Sequence, residues 1–213
     1  MQKNIEFSVE KIISSAWRRF NHNKIFWIGV ALLSLSMSLP GNIMPSIGLI
    51  FTLISCYISA SVIRISINFM QGHLVSYNDF FQIDIMHFIN YLAALILCSV
   101  SILLGFLFFI IPGIYLMTRL IFVQYFVIDK KISFDAAIKR SWKITKGNEL
   151  NLLAFLFAMV IVFVLGFLAL VIGVVVAIPI TQLSTAKLYL TFLNCENGCE
   201  TKEDFSIDVN YEK

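Results

Sequence analysis

Long apolar runs separated by polar segments dominate the chain. The first run covers about Ile25 to Asn42, the second Pro45 to Phe69, the third Phe88 to Ile128 and the fourth Leu150 to Leu193. A helix needs about 20 apolar residues to cross a bilayer, and the last two runs are each about twice that length. The pattern therefore predicts an all-α polytopic membrane protein with six transmembrane helices arranged as three hairpins.

The turns of the hairpins are predicted at helix-breaking residues. Residues Pro40 to Pro45 separate the first two spans, and Pro112-Gly113 interrupts the third run near its centre. Pro-Gly pairs favour turns. The fourth run contains few breakers, and we place its turn near Gly173.

Two polar segments before spans show the spacing of amphipathic helices. The apolar face of the first is Val9, Ile12, Ile13, Ala16, Trp17 and Phe20. The second has Phe134, Ala137, Ile138 and Trp142 on one face and Lys139, Lys143 and Lys146 on the other. Ser8 and Ser133 are the candidate N-caps. Basic helices of this kind lie at a membrane interface with cations toward anionic headgroups, but such a helix can also be a structural elbow beneath the bundle. The two interpretations are compatible and carry equal weight.

These two segments also match each other at one constant offset. Ser8, Glu10, Ile13, Trp17, Arg18 and Asn23 align with Ser133, Asp135, Ile138, Trp142, Lys143 and Asn148. A weaker match covers residues 76–81. We therefore predict a single membrane domain, residues 1–194, built from three repeats (8–70, 76–131 and 133–194), each a cytoplasmic interfacial helix followed by a transmembrane hairpin.

Composition supports lipid as the solvent of this chain. Hydrophobic residues make up 59% and charged residues 14%, against about 45–50% and 25% in soluble domains. About two dozen polar or amphipathic residues precede the first run, so we expect a retained helix there and no cleavable signal peptide.

Charges mark the cytoplasmic side. The basic residues cluster in the N-terminal segment and in the Asp129–Glu149 linker, and the predicted turns carry none. Because cytoplasmic loops are enriched in Lys and Arg, both termini are predicted in the cytoplasm and the protein in the bacterial inner membrane. The tail, residues 195–213, is acidic, and we predict that it is disordered. A net charge of +3 without a strong basic tract argues against a nucleic-acid partner.

Three cations fall within the predicted spans: Arg64, Arg119 and Lys187. Arg64 and Lys187 lie close enough to helix ends to reach the interface. A mid-bilayer arginine such as Arg119 costs at least about 2.5–3.5 kcal/mol and must face protein or water. We favour a structural anchor and keep an anion-binding site as the alternative. No acidic residue lies deep in a span, so no buried ion pair is expected.

The sequence shows no recognisable catalytic or cofactor motif. His22, His73 and His87 have no metal-ligand spacing, and neither a phosphate-binding loop nor a nucleophile elbow is present. Cys195 and Cys199 form a C-x3-C pair, which we interpret as free thiols in preference to a metal or redox site. We expect no catalytic residues, no metal and no cofactor.

One stretch resembles a bacterial membrane-protein family. Its residues are Pro112-Gly113-Ile114-Tyr115, Arg119, Val127-Ile128-Asp129, Ala136, Arg140-Ser141-Trp142 and Thr145-x-Gly147-Asn148. This pattern is similar to the membrane domain found beside glycerophosphoryl diester phosphodiesterases and to YciC-like envelope proteins. After the last span the family's polar segment is replaced by Leu190, Thr191 and Phe192. The resemblance implies a shared six-helix plan. It implies no catalytic activity, because catalysis in that family belongs to a separate soluble domain.

The sequence thus predicts a non-enzymatic inner-membrane protein that interacts with lipids or protein partners and supports envelope homeostasis. The candidate contacts to anionic headgroups are Arg64, Arg119, Lys139, Arg140, Lys143 and Lys187. The family-motif positions are Pro112, Gly113, Asp129, Trp142 and Asn148. The alternative is a transporter or lipid-moving protein with an anion site at Arg119. An enzyme on lipid substrates is disfavoured because the chemistry it needs is missing.

Overall fold

Nine α-helices make up most of the computed structural model, which describes residues 7–38 and 45–196. They are α1 (Val9–His22), α2 (Lys24–Ser38), α3 (Pro45–Met70), α4 (Ile85–Phe108), α5 (Ile110–Leu120), α6 (Val123–Lys130), α7 (Phe134–Thr145), α8 (Glu149–Leu168) and α9 (Leu170–Glu196). A 3-10 helix covers Tyr77–Phe81, and no strand occurs in the described ranges. The all-α prediction is confirmed.

Five segments are long and apolar enough to cross a bilayer. They are Gly48–Met70, Ile85–Phe108, Ile110–Lys130, Glu149–Leu168 and Gly173–Glu196. These helices indicate a multi-pass membrane protein. The apolar part of α2, Lys24–Ser36, is shorter, and residues 39–44 lie outside the described ranges. The sixth crossing therefore stays a prediction.

Both long apolar runs fold as helical pairs, but their turns differ from the predicted positions. The first turn is at Phe109, whose extended backbone (φ −162°, ψ 152°) separates α4 from α5. Pro112 lies in the first turn of α5, where its missing N–H costs little because those groups have no partner within the helix. The prediction of a turn at Pro112-Gly113 was wrong by a few residues. The second turn is at Ala169, a few residues before Gly173.

The glycines of these runs serve close packing. A Cβ atom at Gly105 would lie 2.9 Å from the Cα of Gly113, and one at Gly113 would lie 2.6 Å from the ring of Phe106. In the second pair, a Cβ at Gly166 would lie 2.9 Å from the carbonyl oxygen of Gly173. Small residues let membrane helices approach this closely.

The second member of each pair forms the interior. The share of buried residues is 39% in the span of α3, 50% in that of α5–α6 and 56% in that of α9, but only 22% in α4 and in α8. Helix α9 packs against α1, α2, α3 and α8, and α3 also packs against α6. The first members therefore present wide apolar faces outward.

Helices α1 and α7 begin directly after the predicted cap residues, Ser8 and Ser133. Both caps have extended backbones, but neither side chain makes a capping hydrogen bond. On the predicted apolar face of α1, Ile12, Ala16 and Phe20 are buried, whereas Trp17 is 48% exposed. In the middle unit, the expected interfacial amphipathic helix is instead a single 3-10 turn, Tyr77–Phe81.

The helix starts repeat at an offset of 125 residues, which is also the offset of the sequence match between the segments that begin at Ser8 and Ser133. Three pairs are each 125 residues apart: Val9 and Phe134, Lys24 and Glu149, Pro45 and Leu170. The helix-start backbone bonds follow the same spacing, since the N–H of Trp27 donates to Asn23 and that of Leu152 donates to Asn148.

Candidate functional site

Arg119 lies where the candidate span Ile110–Lys130 is interrupted. Helix α5 ends at Leu120 and α6 begins at Val123, with both intervening residues still in right-handed helical backbone. A helix end leaves its last carbonyls without partners. The hydroxyl of Ser141, on α7, donates to the carbonyl oxygen of Arg119 at 2.7 Å. The kink and the docking of α7 therefore occur at the same residue.

The guanidinium of Arg119 is 5% exposed and is surrounded by partners. Its Nε and Nη2 donate to the hydroxyl of Tyr115 at 2.9 and 2.8 Å. Its Nη1 donates to the carbonyl oxygen of Trp142 at 3.3 Å and to Thr145 Oγ1 at 3.5 Å. Its Cζ lies 5.1 Å from the ring centroids of both Tyr115 and Trp142. Polar and aromatic contacts together hold the cation in place.

A carboxylate completes the cluster. Nη2 of Arg119 lies 2.7 Å from Oε1 of Glu149, whose side chain is 32% exposed. The expectation that no buried ion pair would occur was wrong. Glu149 is the first residue of α8, and it meets Arg119 only because the α7–α8 junction folds against α5. We call Tyr115, Arg119, Trp142, Thr145 and Glu149 the arginine cluster.

Sequence reasoning placed Arg119 and Trp142 in one motif without placing them in contact. The structure brings them together with Ser141 and Thr145, which are both fully buried. Asn148 is buried at the N-cap of α8. Glu149 was missed because it was assigned to a charged linker. Its position immediately after the Thr-x-Gly-Asn stretch was the available signal.

A second polar cluster joins α6, α7 and α9. Tyr189 is fully buried, and its hydroxyl donates to Oδ2 of Asp129 at 2.7 Å. Nη2 of Arg140 donates to Oε2 of Glu196 at 3.0 Å, and its Cζ lies 4.8 Å from the ring centroid of Phe126. Asp129 and Arg140 therefore fasten helices to one another.

The remaining candidate cations lie in different surroundings. Arg64 donates from Nη1 to the carbonyl oxygen of Gln82 and from Nη2 to its side-chain Oε1 at 3.2 Å. Lys139 pairs with Asp135 at 2.8 Å on the outer face of α7, and Lys143 is exposed on the same helix. Lys187 is half-buried on α9. The structure does not bring these cations together at one site.

No group of three or more His, Cys, Asp and Glu side chains forms a candidate metal site within the described ranges. Cys195 is a half-buried thiol that forms no disulfide, and Cys199 lies outside those ranges. Family models, curated proteins and solved structures were all compared with this chain, and none matched.

Proposed function

We propose that this chain is a non-enzymatic protein of the bacterial inner membrane whose helix α7 binds anionic lipid headgroups and thereby supports envelope homeostasis. The observation that carries the proposal is the outer face of α7. There Lys139 and Lys143 are exposed beside Trp142, which is 39% exposed. Exposed cations next to a tryptophan suit the interface between headgroups and acyl chains.

The arginine cluster supports this proposal by fixing α7 to the bundle. Ser141 and Thr145 occupy the buried face of α7, and both contact Arg119. The opposite face of α7, which carries Lys139 and Lys143, is then on the outside of the bundle. Helix α7 can therefore act as an interfacial anchor through its outer face and as a structural elbow through its buried face.

The proposed topology has six crossings with both termini in the cytoplasm, and the common spacing of helix starts supports the repetition of the first unit in the third. Most of the tail lies outside the described ranges, and so do residues 39–44, which follow α2 and on which the sixth crossing depends. The motif of residues 112–148 supports membership of the phosphodiesterase-associated membrane-domain family. Four residues of that motif belong to the arginine cluster: Tyr115, Arg119, Trp142 and Thr145.

The alternative function is a transporter or lipid-moving protein with an anion site at Arg119. The interruption between α5 and α6 favours it, because discontinuous helices are common at transporter binding sites. Against it, Glu149 already neutralises the guanidinium, and its N–H groups face protein acceptors. The pairing supports the structural anchor.

Neutralising Lys139 and Lys143 to Gln should weaken association of the reconstituted chain with phosphatidylglycerol about tenfold or more, because each cation near an anionic surface contributes about 1 kcal/mol. The measurement is the binding of spin-labelled phosphatidylglycerol, with phosphatidylcholine as the neutral reference.

Asp135→Asn is the matched control, and its expected effect on lipid preference is opposite to that of the lysine variant. It frees Lys139 from its acidic partner and should strengthen the preference for the anionic lipid. An unchanged preference in the lysine variant would remove α7 as the headgroup site.

A further inference from the structure

The connection between α3 and α4, residues 71–84, differs from the other predicted cytoplasmic segments. It contains neither Lys nor Arg. Two large apolar side chains project from it, since Leu74 is 93% and Phe81 is 82% exposed, while the neighbouring Phe80 is buried. A solvated loop gains nothing from such exposure.

This connection folds back along α3. The hydroxyl of Ser61 donates to the carbonyl oxygen of Phe80 at 2.8 Å, and Arg64 donates to the carbonyl oxygen of Gln82. Ser61 precedes Met70, the last residue of α3, by nine positions, which is about 13 Å along a helix. The 3-10 helix therefore lies beside the last turns of the candidate span Gly48–Met70 and not beyond its end.

Its polar groups are satisfied within the protein. Asp79 accepts from the backbone N–H of Ser76 at 2.8 Å and from Nε2 of Gln82 at 3.0 Å. The side chain of Gln82 also accepts from Arg64 at 3.2 Å, so one amide links the carboxylate to the guanidinium. Unpaired polar groups are costly in a bilayer, so these bonds lower the cost of placing the connection against lipid at the interface.

We propose that this connection inserts into the cytoplasmic leaflet and that Leu74 and Phe81 contact lipid acyl chains. Exposed apolar side chains resume after the exposed carboxylate of Asp84, at the start of α4, a candidate span, where Ile85 (73%), Met86 (61%) and Ile89 (55%) are exposed. Acyl chains are the occupant because the loop itself contains neither Lys nor Arg, the neighbouring Arg64 is engaged by Gln82, and the loop adjoins a face that already requires lipid. This contact goes beyond the headgroup binding assigned to α7.

Collision measurements on a nitroxide label test the insertion. The label is attached to the full chain at Phe81→Cys, with Cys56, Cys98, Cys195 and Cys199 replaced by Ala, and the protein is reconstituted in vesicles of phosphatidylcholine and phosphatidylglycerol. Molecular oxygen concentrates in the acyl region and a nickel chelate stays in water. Reference labels at Ile50, on an exposed face of α3, and at Lys139, on α7, mark the levels of the acyl chains and of the headgroups.

The insertion predicts that the label at position 81 collides with oxygen several-fold more than the Lys139 reference does and is shielded from nickel, as at Ile50. Equal nickel collisions at positions 81 and 139 would place the loop no deeper than the headgroups and overturn the proposal. Shielding from both reagents would show that protein, such as a second copy of the chain, covers the loop, and would also overturn it. Leu74→Cys, at the most exposed position, gives an independent second reading.

Discussion

Arg119→Gln should lower the free energy of unfolding by about 3 kcal/mol, the cost typical of removing one member of a buried ion pair. The change leaves Glu149, the hydroxyl of Tyr115 and the carbonyl of Trp142 without their charged donor. The partial exposure of Glu149 keeps the cost at the lower end of that range. Denaturant unfolding in lipid bicelles measures it.

Two further variants separate this anchor from other effects. Lys139→Gln removes a charge of the same sign from an exposed pair and should change stability by less than about 0.5 kcal/mol. In the double variant of Arg119→Gln with Glu149→Gln, the loss should be smaller than the sum of the two single losses, because the residues interact directly. Native-like stability of Arg119→Gln, with loss of binding to an anionic ligand, would instead establish the anion site.

Gly105→Ala should destabilise the chain by about 1–3 kcal/mol, the cost of overpacking a close contact. The added methyl group would lie 2.9 Å from the Cα of Gly113 and from a methyl group of Leu116. Backbone cannot move aside as a flexible side chain can, so α4 and α5 must separate. The same unfolding measurement applies.

Gly29→Ala is the matched control in another helix. Its added methyl group would meet only the terminal hydroxyl of Tyr77 at 3.2 Å. Alanine favours a helix over glycine by about 0.5–1 kcal/mol, so this variant should be neutral or slightly stabilising. Equal stability of the Gly29 and Gly105 variants would contradict the close packing of the α4–α5 pair.

Local pattern predicted helices α1 and α7 well because apolar periodicity acts over a few positions. Helices α1 and α7 begin directly after the two predicted serines. Turn positions were less accurate. A proline is tolerated in the first helical turn, and the glycines serve interhelical packing, so Pro112-Gly113 did not mark the end of a helix.

The arginine cluster could be predicted only in part. A costly cation in an apolar span indicated that Arg119 must face protein or water. Glu149 could not be assigned, because its contact depends on how the α7–α8 junction packs against α5. The folded-back connection was missed for the same reason, since Ser61 and Phe80 meet through tertiary packing.

Labelling of single cysteines with a membrane-impermeant maleimide tests the central claim, that three helical pairs cross the bilayer and return. The probes are Asn42→Cys, Phe109→Cys and Ala169→Cys at the three turns and Lys139→Cys on α7, in a chain whose own cysteines are replaced by alanine. We expect the three turn positions to react in intact spheroplasts and position 139 to react only after lysis. Reaction of positions 42 and 109 from opposite sides of the membrane would contradict it.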